Sequence, residues 1–408
     1  MAVGNQLSVI IVGSGLAGLA AARILREKHQ VTVYERGEPS IATGGQGVAS
    51  FPNAVKILRD IGFDADRAGS VPICGFRTLD KGGKQIFDSA VPFEEKYGAP
   101  AMSHMRVDFR AELLRLATAP SKELGIGGEP VKMVFNNGAR DIDGEAGVIT
   151  LDDGSKAEAD VIIVADGIHS RLRPRISGSG CPDPEKSGLT CCRVAVSVNE
   201  AIKALGHLPD WWQKQRTGDR RVMIWEAGDG SDRIMVVYGL RHTNYMNMSC
   251  VFPTRHEKES TTQSWFAEGD RQEMLDIFSD FDPSLVALLG VATEVKLWEL
   301  QDIEPIPAWT SGRAILIGDA AHAMTPLQGQ GANMGIEDAE AFRLLMEPGV
   351  RRADVPDILR RIEHVRKPRN TAVLGNTRKT SRGVKGDERY AVMDENCTYD
   401  GIYKALGE

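Results

Sequence analysis

One stretch constrains this chain more than any other: an apolar run that breaks into glycines and resumes as a helix, "SVIIVGSGLAGLAAARIL", Ser8 to Leu25. Gly13, Gly15 and Gly18 stand in G-x-G-x-x-G spacing, a second apolar strand "VTVYE" follows, and Glu35 ends it. Strand, glycine turn, helix and strand in that order begin a doubly wound parallel sheet. Each glycine has its own task. Gly13 makes the tight turn, Gly15 lets a pyrophosphate approach the backbone, and Gly18 lets helix and strand pack closely, with the helix N-terminus facing the phosphate charge. Glu35 is placed to accept hydrogen bonds from ribose hydroxyls. The motif predicts a dinucleotide and leaves FAD and NAD both open.

The rest of the composition narrows the class. A chain of 408 residues has core for two or three domains. Its 42% hydrophobic and 26% charged residues are those of an ordinary globular protein, and its net charge of −7 lacks the basic footprint of a nucleic-acid binder. Cys74, Cys181, Cys191, Cys192, Cys250 and Cys397 show no C-x-x-C spacing, which predicts reduced thiols in a cytoplasmic protein. Cys191 and Cys192 are adjacent on an expected strand, so they should face opposite ways. There is no signal-peptide pattern, and no run reaches the ~18 apolar residues of a membrane span.

Further segments bear on the ligand. A glycine turn from Gly44 to Gly47 precedes a helix expected from Pro52 and Asn53 to Gly62; a plain surface loop remains open for the turn. In "MSHMRVDFRAELLRLA", Arg106 and Arg110 fall one helical turn apart, as a solvated basic face or as a cofactor contact. "ADVIIVADGIHSRLR" is a buried strand whose Asp166-Gly167 turn sits where ligands of such sheets bind, and "GVITLDDGSKAEAD" before it reads as a hairpin. "ILIGDAAHAMTPLQGQGANMGIEDAEAF", Ile315 to Phe342, runs from strand to helix through Asp319, Pro326, Gly329 and Gly331. A helix opening near Gly331 and Ala332 offers aligned N–H donors and partial positive charge.

"GSGLAG" with Glu35, "ADGIHSRLR" and "GDAAHAMTPLQGQGANMGIEDA", in this order, resemble the FAD-dependent aromatic hydroxylases, the single-component flavoprotein monooxygenases, and most of all their salicylate-hydroxylase-like subgroup. The resemblance runs from residue 7 to about 385. It implies an α/β fold: a doubly wound, Rossmann-like (GR2-type) FAD-binding domain from 1–75, 101–186 and 301–345, an inserted antiparallel-sheet substrate domain from 76–100 and 187–300, and a C-terminal helical region, 346–408. It assigns Gly13, Gly15, Gly18 and Glu35 to the ADP half of FAD and Arg106 to the pyrophosphate and ribityl chain, with Leu16, Ala17, Arg36, Gly47 and Val48 also on the cofactor. Asp166 and Gly167 would serve both FAD and the nicotinamide cofactor. Gly318 and Asp319 would hold the ribityl chain. Pro326, Gly329, Gly331, Ala332 and Asn333 would wrap the isoalloxazine edge. The implied reaction uses NAD(P)H and O2. A flavin C4a-hydroperoxide passes one oxygen atom to an electron-rich aromatic, phenolic or natural-product substrate, with no metal and no side-chain nucleophile. Epoxidation of an alkene or indole, and an oxidase or dehydrogenase, remain alternatives. Ala323 replaces the proline or serine of many relatives, with little expected effect.

Residues 187 to 300 read as successive strands, "LTCCRVAVSV", "RRVMIWEAG", "DRIMVVYGL" and "YMNMSCVFP". The resemblance points to Arg193 and Tyr238 as substrate contacts, then Arg241, His242 and Asn247, with Pro326 as a rigid wall. An arginine there would stabilise a phenolate, the more nucleophilic ring. A sheet-face salt bridge for Arg193 and core packing for Tyr238 stay open. Trp211, Trp212, Trp225, Trp265, Met223, Met235, Met246 and Met248 suit a planar-ligand pocket or an ordinary core. His322 is a candidate base or a packed loop histidine. The basic C-terminal helix, kinked at Pro368, presents a solvated face or a homodimer contact, and the tail after it carries no functional signal.

Overall fold

The computed structural model describes residues 6–39, 47–254, 270–381 and 387–407, so the expectations for Gly44–Gln46 and for Trp265 lie outside the described residues. A six-stranded sheet runs Thr310–Ser311, Ala314–Leu316, Val161–Val164, Ser8–Val12, Gln30–Tyr34, Lys132–Val134, all parallel except the first. Its central strands are continuous Val/Ile runs because both faces are covered. Val9 and Ile11 pack with Leu19, Leu113 and Ile336 of the helices Leu16–Leu25, Arg106–Thr118 and Gly331–Glu340. Ile10 and Val12 pack instead with Ile149 and Leu151, from the small antiparallel sheet Ala139–Asp143, Val148–Leu151, Lys156–Glu158.

Helix Gly331–Glu340 rides close on helix Leu16–Leu25 because the contact is made of small residues. A Cβ on Gly335 would lie 3.0 Å from the Ala17 Cβ, and one on Gly318 3.1 Å from it.

A seven-stranded sheet has the order Lys296–Asp302, Glu185–Ser197, Tyr245–Pro253, Ile234–Leu240, Val222–Glu226, Gly75–Asp80, Gln85–Ala90. It is antiparallel except where Val222–Glu226 meets Gly75–Asp80. Strand alternation sorts its side chains. Cys192, Val194, Met223, Trp225, Met235, Met246 and Met248 pack with Trp211 and Trp212 under the helices at 198–205, 210–216, 271–277 and 283–291. That settles the tryptophan and methionine question for the described residues in favour of an ordinary core. Cys191, Arg193, Ile224, Val236 and Tyr238 face the other way, onto a cavity, so the two adjacent cysteines do point oppositely.

Helix Val355–Ser381 runs unbroken through Pro368. Its basic residues are not all on a solvated or intermolecular face. Arg366 is fully buried, its Nη1 2.5 Å from Glu337 and its Nε 2.9 Å from Asp338, and Arg369 reaches Glu337 at 2.7 Å. Glu337 and Asp338, buried on helix Gly331–Glu340, require those cations nearby. The tail helix Asp387–Cys397 and the turn after it fold back on the body, where Tyr399 donates to Glu340 at 3.1 Å. No described helix is long and apolar enough to cross a membrane.

Candidate active site

The three glycines of the first turn meet different surroundings. Gly13 has φ +103°, and a Cβ there would strike the Ala165 carbonyl oxygen at 2.3 Å; one on Gly18 would strike the Gly13 carbonyl oxygen at 2.2 Å. Nothing lies within 4 Å of a Cβ on Gly15, so its backbone is open to a ligand. Glu35 accepts from the Ser14 N–H (2.9 Å) and Oγ (2.7 Å) and from the Gly37 N–H (2.9 Å). Burial opposes its charge, but those hydrogen bonds and the Arg110 guanidinium outweigh burial and hold the carboxyl below its ordinary range. Arg110, whose role the sequence left open, is buried and donates to the Ser14 carbonyl (2.9 Å) and hydroxyl (2.7 Å). It braces the turn. Leu16 belongs to the core, Ala17 to the close helix contact, and Arg36 is exposed.

Between the two large sheets lies a cavity of about 710 Å³. Gly47, Val48, Arg106, Asp319, Pro326, Gly329, Gly331 and Ala332 line it, as do Arg193 and Tyr238. Asp166 and Gly167 sit at its edge, just before the lining residues Ile168 and His169. Gly167 is in the left-handed region at φ +86°, which the turn requires. Asp166 Oδ1 is buried without a partner, and burial pushes this carboxyl up. Burial pushes Arg106 down, with the Asp319 charge opposing.

Arg173 is buried and ties the two motif turns together. It donates to the carbonyls of Ile168 (2.5 Å) and Gly167 (3.3 Å), and to those of Ala320 (2.7 Å) and Asp319 (3.2 Å). Gly318, at φ +58°, donates its N–H to Asp338 at 3.0 Å. His322 is buried with Nε2 2.5 Å from Asp338, so it is a packed histidine held by a carboxylate and does not line the cavity.

Helix Gly331–Glu340 opens into the cavity without a side-chain cap, and its first bond joins the Met334 N–H to the Gln330 carbonyl at 2.9 Å. The N–H groups before that bond are donors for a ligand. The side chain of Asn333 is engaged within the protein. Its Oδ1 accepts from the Phe51 N–H at 2.7 Å, and its Nδ2 donates to the carbonyls of Gly329 (2.7 Å) and Ala49 (3.1 Å). It holds two cavity loops together with its amide fully engaged. The open Gly15 face, the orphaned Asp166 oxygen, the uncapped helix start and the cavity volume together fit an extended dinucleotide carrying a flat ring.

On the sheet side, the Arg193 guanidinium lies 4.1 Å from the Trp298 ring centroid, with Nε buried and without a hydrogen-bond partner. No carboxylate pairs with it among the described residues, so the salt-bridge alternative falls. Tyr238 faces the cavity with its hydroxyl beside Gly47, where an added Cβ would lie 2.5 Å from it; burial pushes its phenol up to about 12. Arg241 and His242 are elsewhere. They form a turn at φ +46° and +54°, where Arg241 pairs with Asp108 at 2.6 Å and His242 is exposed. Asn247 is fully buried behind Gly47 and does not line the cavity. Sequence reasoning missed Cys191, Trp298 and Phe76, and also Val392, Met393 and Asn396 of the tail helix, all of which line it.

A family model described as "FAD binding domain" matches residues 6–377. Hispidin-3-hydroxylase of Neonothopanus nambi is 30% identical over 90% of this chain and 86% of its own length. A 6-hydroxynicotinate 3-monooxygenase of Pseudomonas fluorescens is 32% identical over 84% and 83%. Among solved structures, a salicylate hydroxylase substrate complex superposes with TM-score 0.74 at 23% identity over 99% and 98% of the two chains, which speaks to the fold. So does CtdE in complex with FAD and substrate, at TM-score 0.76, 21% identity, 99% and 100%. With the family model spanning nearly the whole described sheet system and relatives matched along most of their lengths, the chain belongs to the FAD-dependent monooxygenases of the aromatic hydroxylase family.

Proposed function

We propose that the protein uses NAD(P)H and O2 to insert one oxygen atom into an electron-rich, phenolic ring held against the seven-stranded sheet. The observation that carries this is Arg193, a cation on a cavity wall with no carboxylate partner among the described residues, facing an apolar space beside the uncapped start of helix Gly331–Glu340.

Gly13, Gly15, Gly18 and Glu35 would hold the ADP half of FAD, with Arg106, Asp166 and Asp319 along the chain to the ring. The N–H groups at Gly331 and Ala332 would face the ring's anionic edge. Bound FAD would supply the redox chemistry, accepting a hydride from NAD(P)H and activating O2. The protein's share is positioning. Arg193 favours the deprotonated hydroxyl, which makes the ring more nucleophilic. Tyr238, with its phenol pushed up to about 12, stays protonated at neutral pH and serves as a hydrogen-bond partner and not as a base. Pro326 walls the cavity without adding a donor to satisfy. The names of the curated relatives, which act on hispidin and on 6-hydroxynicotinate, support a hydroxylated ring as substrate.

Turnover under 18O2 with NAD(P)H tests the reading. The expected result is one labelled oxygen in the product. Unlabelled product with hydrogen peroxide accumulating would replace it with an oxidase.

A further inference from the structure

Strand register lays out the cavity floor. Arg193 is paired with Ser249, Ser249 with Val236, and Val236 with Ile224, so these four stand in one row across four adjacent strands. All four line the cavity. Three strand spacings of about 4.8 Å make the row about 14 Å long, more than twice the span of one six-membered ring. The row changes character along its length: a cation at Arg193, a hydroxyl at Ser249, then only aliphatic side chains.

The apolar end is closed from above by the tail helix. Met393 packs against the cluster that holds Phe76, Val222 and Ile224. The helix is pinned in place around it. Asp394 pairs with Lys96 at 2.6 Å and accepts from the Tyr97 hydroxyl. Arg369 donates from Nη2 to the Asn396 carbonyl at 2.9 Å, while the same Nη2 and its Nε hold Glu337. A thioether on an unbranched stem fills an irregular gap and yields to the shape beside it.

We propose that the cavity takes an elongated substrate of two or more rings, its acidic oxygen at Arg193 and its apolar end against Met393, and that Met393 is the residue that sets how long that substrate can be. The proposal rests on the hydroxylase reading for its chemistry and on the sheet register for its dimensions.

The test uses the full-length, FAD-loaded protein and a graded probe series: phenol, 2-naphthol and 2-anthrol. Dissociation constants are read from the change each probe makes in flavin absorbance, and turnover from stimulated NAD(P)H oxidation. The parent protein should prefer 2-naphthol over phenol by at least about tenfold, since each added apolar contact in such a pocket is worth about that much. Met393→Ala should move the preference toward 2-anthrol, and Met393→Trp should weaken 2-anthrol by about tenfold or more while sparing phenol. Met393→Leu, close in volume, should keep the parent ratios and full FAD content, separating an effect of size from damage to the fold. Equal affinity of the parent for all three probes, or parent ratios in both Ala and Trp variants, would overturn the proposal. Shifted binding ratios with no labelled oxygen in any product would leave the slot standing and remove only the hydroxylase reading.

Discussion

Arg173 donates its Nε hydrogen to the Ala320 carbonyl at 2.7 Å, and through its Nη2 to the Ile168 carbonyl beside the other motif turn. One side chain therefore holds the Asp166 turn and the Asp319 turn at a fixed separation. Replacement by methionine leaves buried carbonyls without donors, each costing about 1 to 3 kcal/mol. Arg173→Met should unfold at lower denaturant and purify with less bound FAD, measured by flavin-to-protein absorbance. Parent values of both would mean the bridge has no role.

The first glycines give a sharper separation. Gly15→Ala adds a methyl to open space at an ordinary backbone angle, φ −72°, so stability should stay within about 0.5 kcal/mol of the parent while FAD affinity falls at least tenfold. Gly13→Ala and Gly18→Ala push a methyl into backbone carbonyls and should lose the fold itself. Thermal unfolding of apo and FAD-loaded protein reads both effects. A Gly15→Ala variant that binds FAD as tightly as the parent would remove the pyrophosphate from that face.

Substituting Arg193 by methionine keeps much of the stem and removes the charge. A charged hydrogen bond to a phenolate is worth about 2 kcal/mol, a factor of about thirty in kcat/KM. The loss should be greatest near neutral pH and shrink as pH approaches the free substrate's own pKa. Tyr238→Phe should slow turnover without moving any limb of the pH profile, because the phenol titrates only near 12. A limb that disappears with the tyrosine would assign it a proton-transfer role.

His104 makes the fold acid-sensitive. It is buried, stacked on Phe109 at 4.6 Å, with Ser70 Oγ at 2.8 Å and Ser50 Oγ at 3.0 Å, and burial pushes its imidazole down to about 3. Unfolded, it would titrate near 6.5, so between those values the unfolded chain binds a proton that the folded one refuses. Stability from this group is complete above about pH 6.5 and declines toward pH 3, by about 2 kcal/mol at pH 5. Urea midpoints at pH 7 and pH 5 should differ by that much in the parent and by less in His104→Asn. Equal differences would clear the histidine.

What could be read before folding was local. Gly13 through Gly18, Asp166-Gly167 and the start of helix Gly331–Glu340 are short-range signals, in which the residues that make the turn also make the site. The rest depends on partners far away in the chain. Arg110 meets Ser14 across 96 positions and Arg366 meets Glu337 across 29, and no spacing rule links such pairs. Period-two alternation showed that Cys191 and Cys192 part company, but not which face would be core. That is why Trp225 and Met235 looked apt for a ligand while Trp298, which lines the cavity, drew no notice. The backbone around Asn333 reads as a ligand turn from its loop, but where its side-chain amide bonds depends on the positions of Phe51 and Ala49.

Arg369, bonded both to Glu337 and to the Asn396 carbonyl, also bears on the order of assembly. Chains are made from the N-terminus, and the turns around Gly15, Asp166, Asp319 and Gly331 all emerge before Met393 does. During synthesis there is a period in which these turns exist and the tail residues that line the cavity, Val392, Met393 and Asn396, do not.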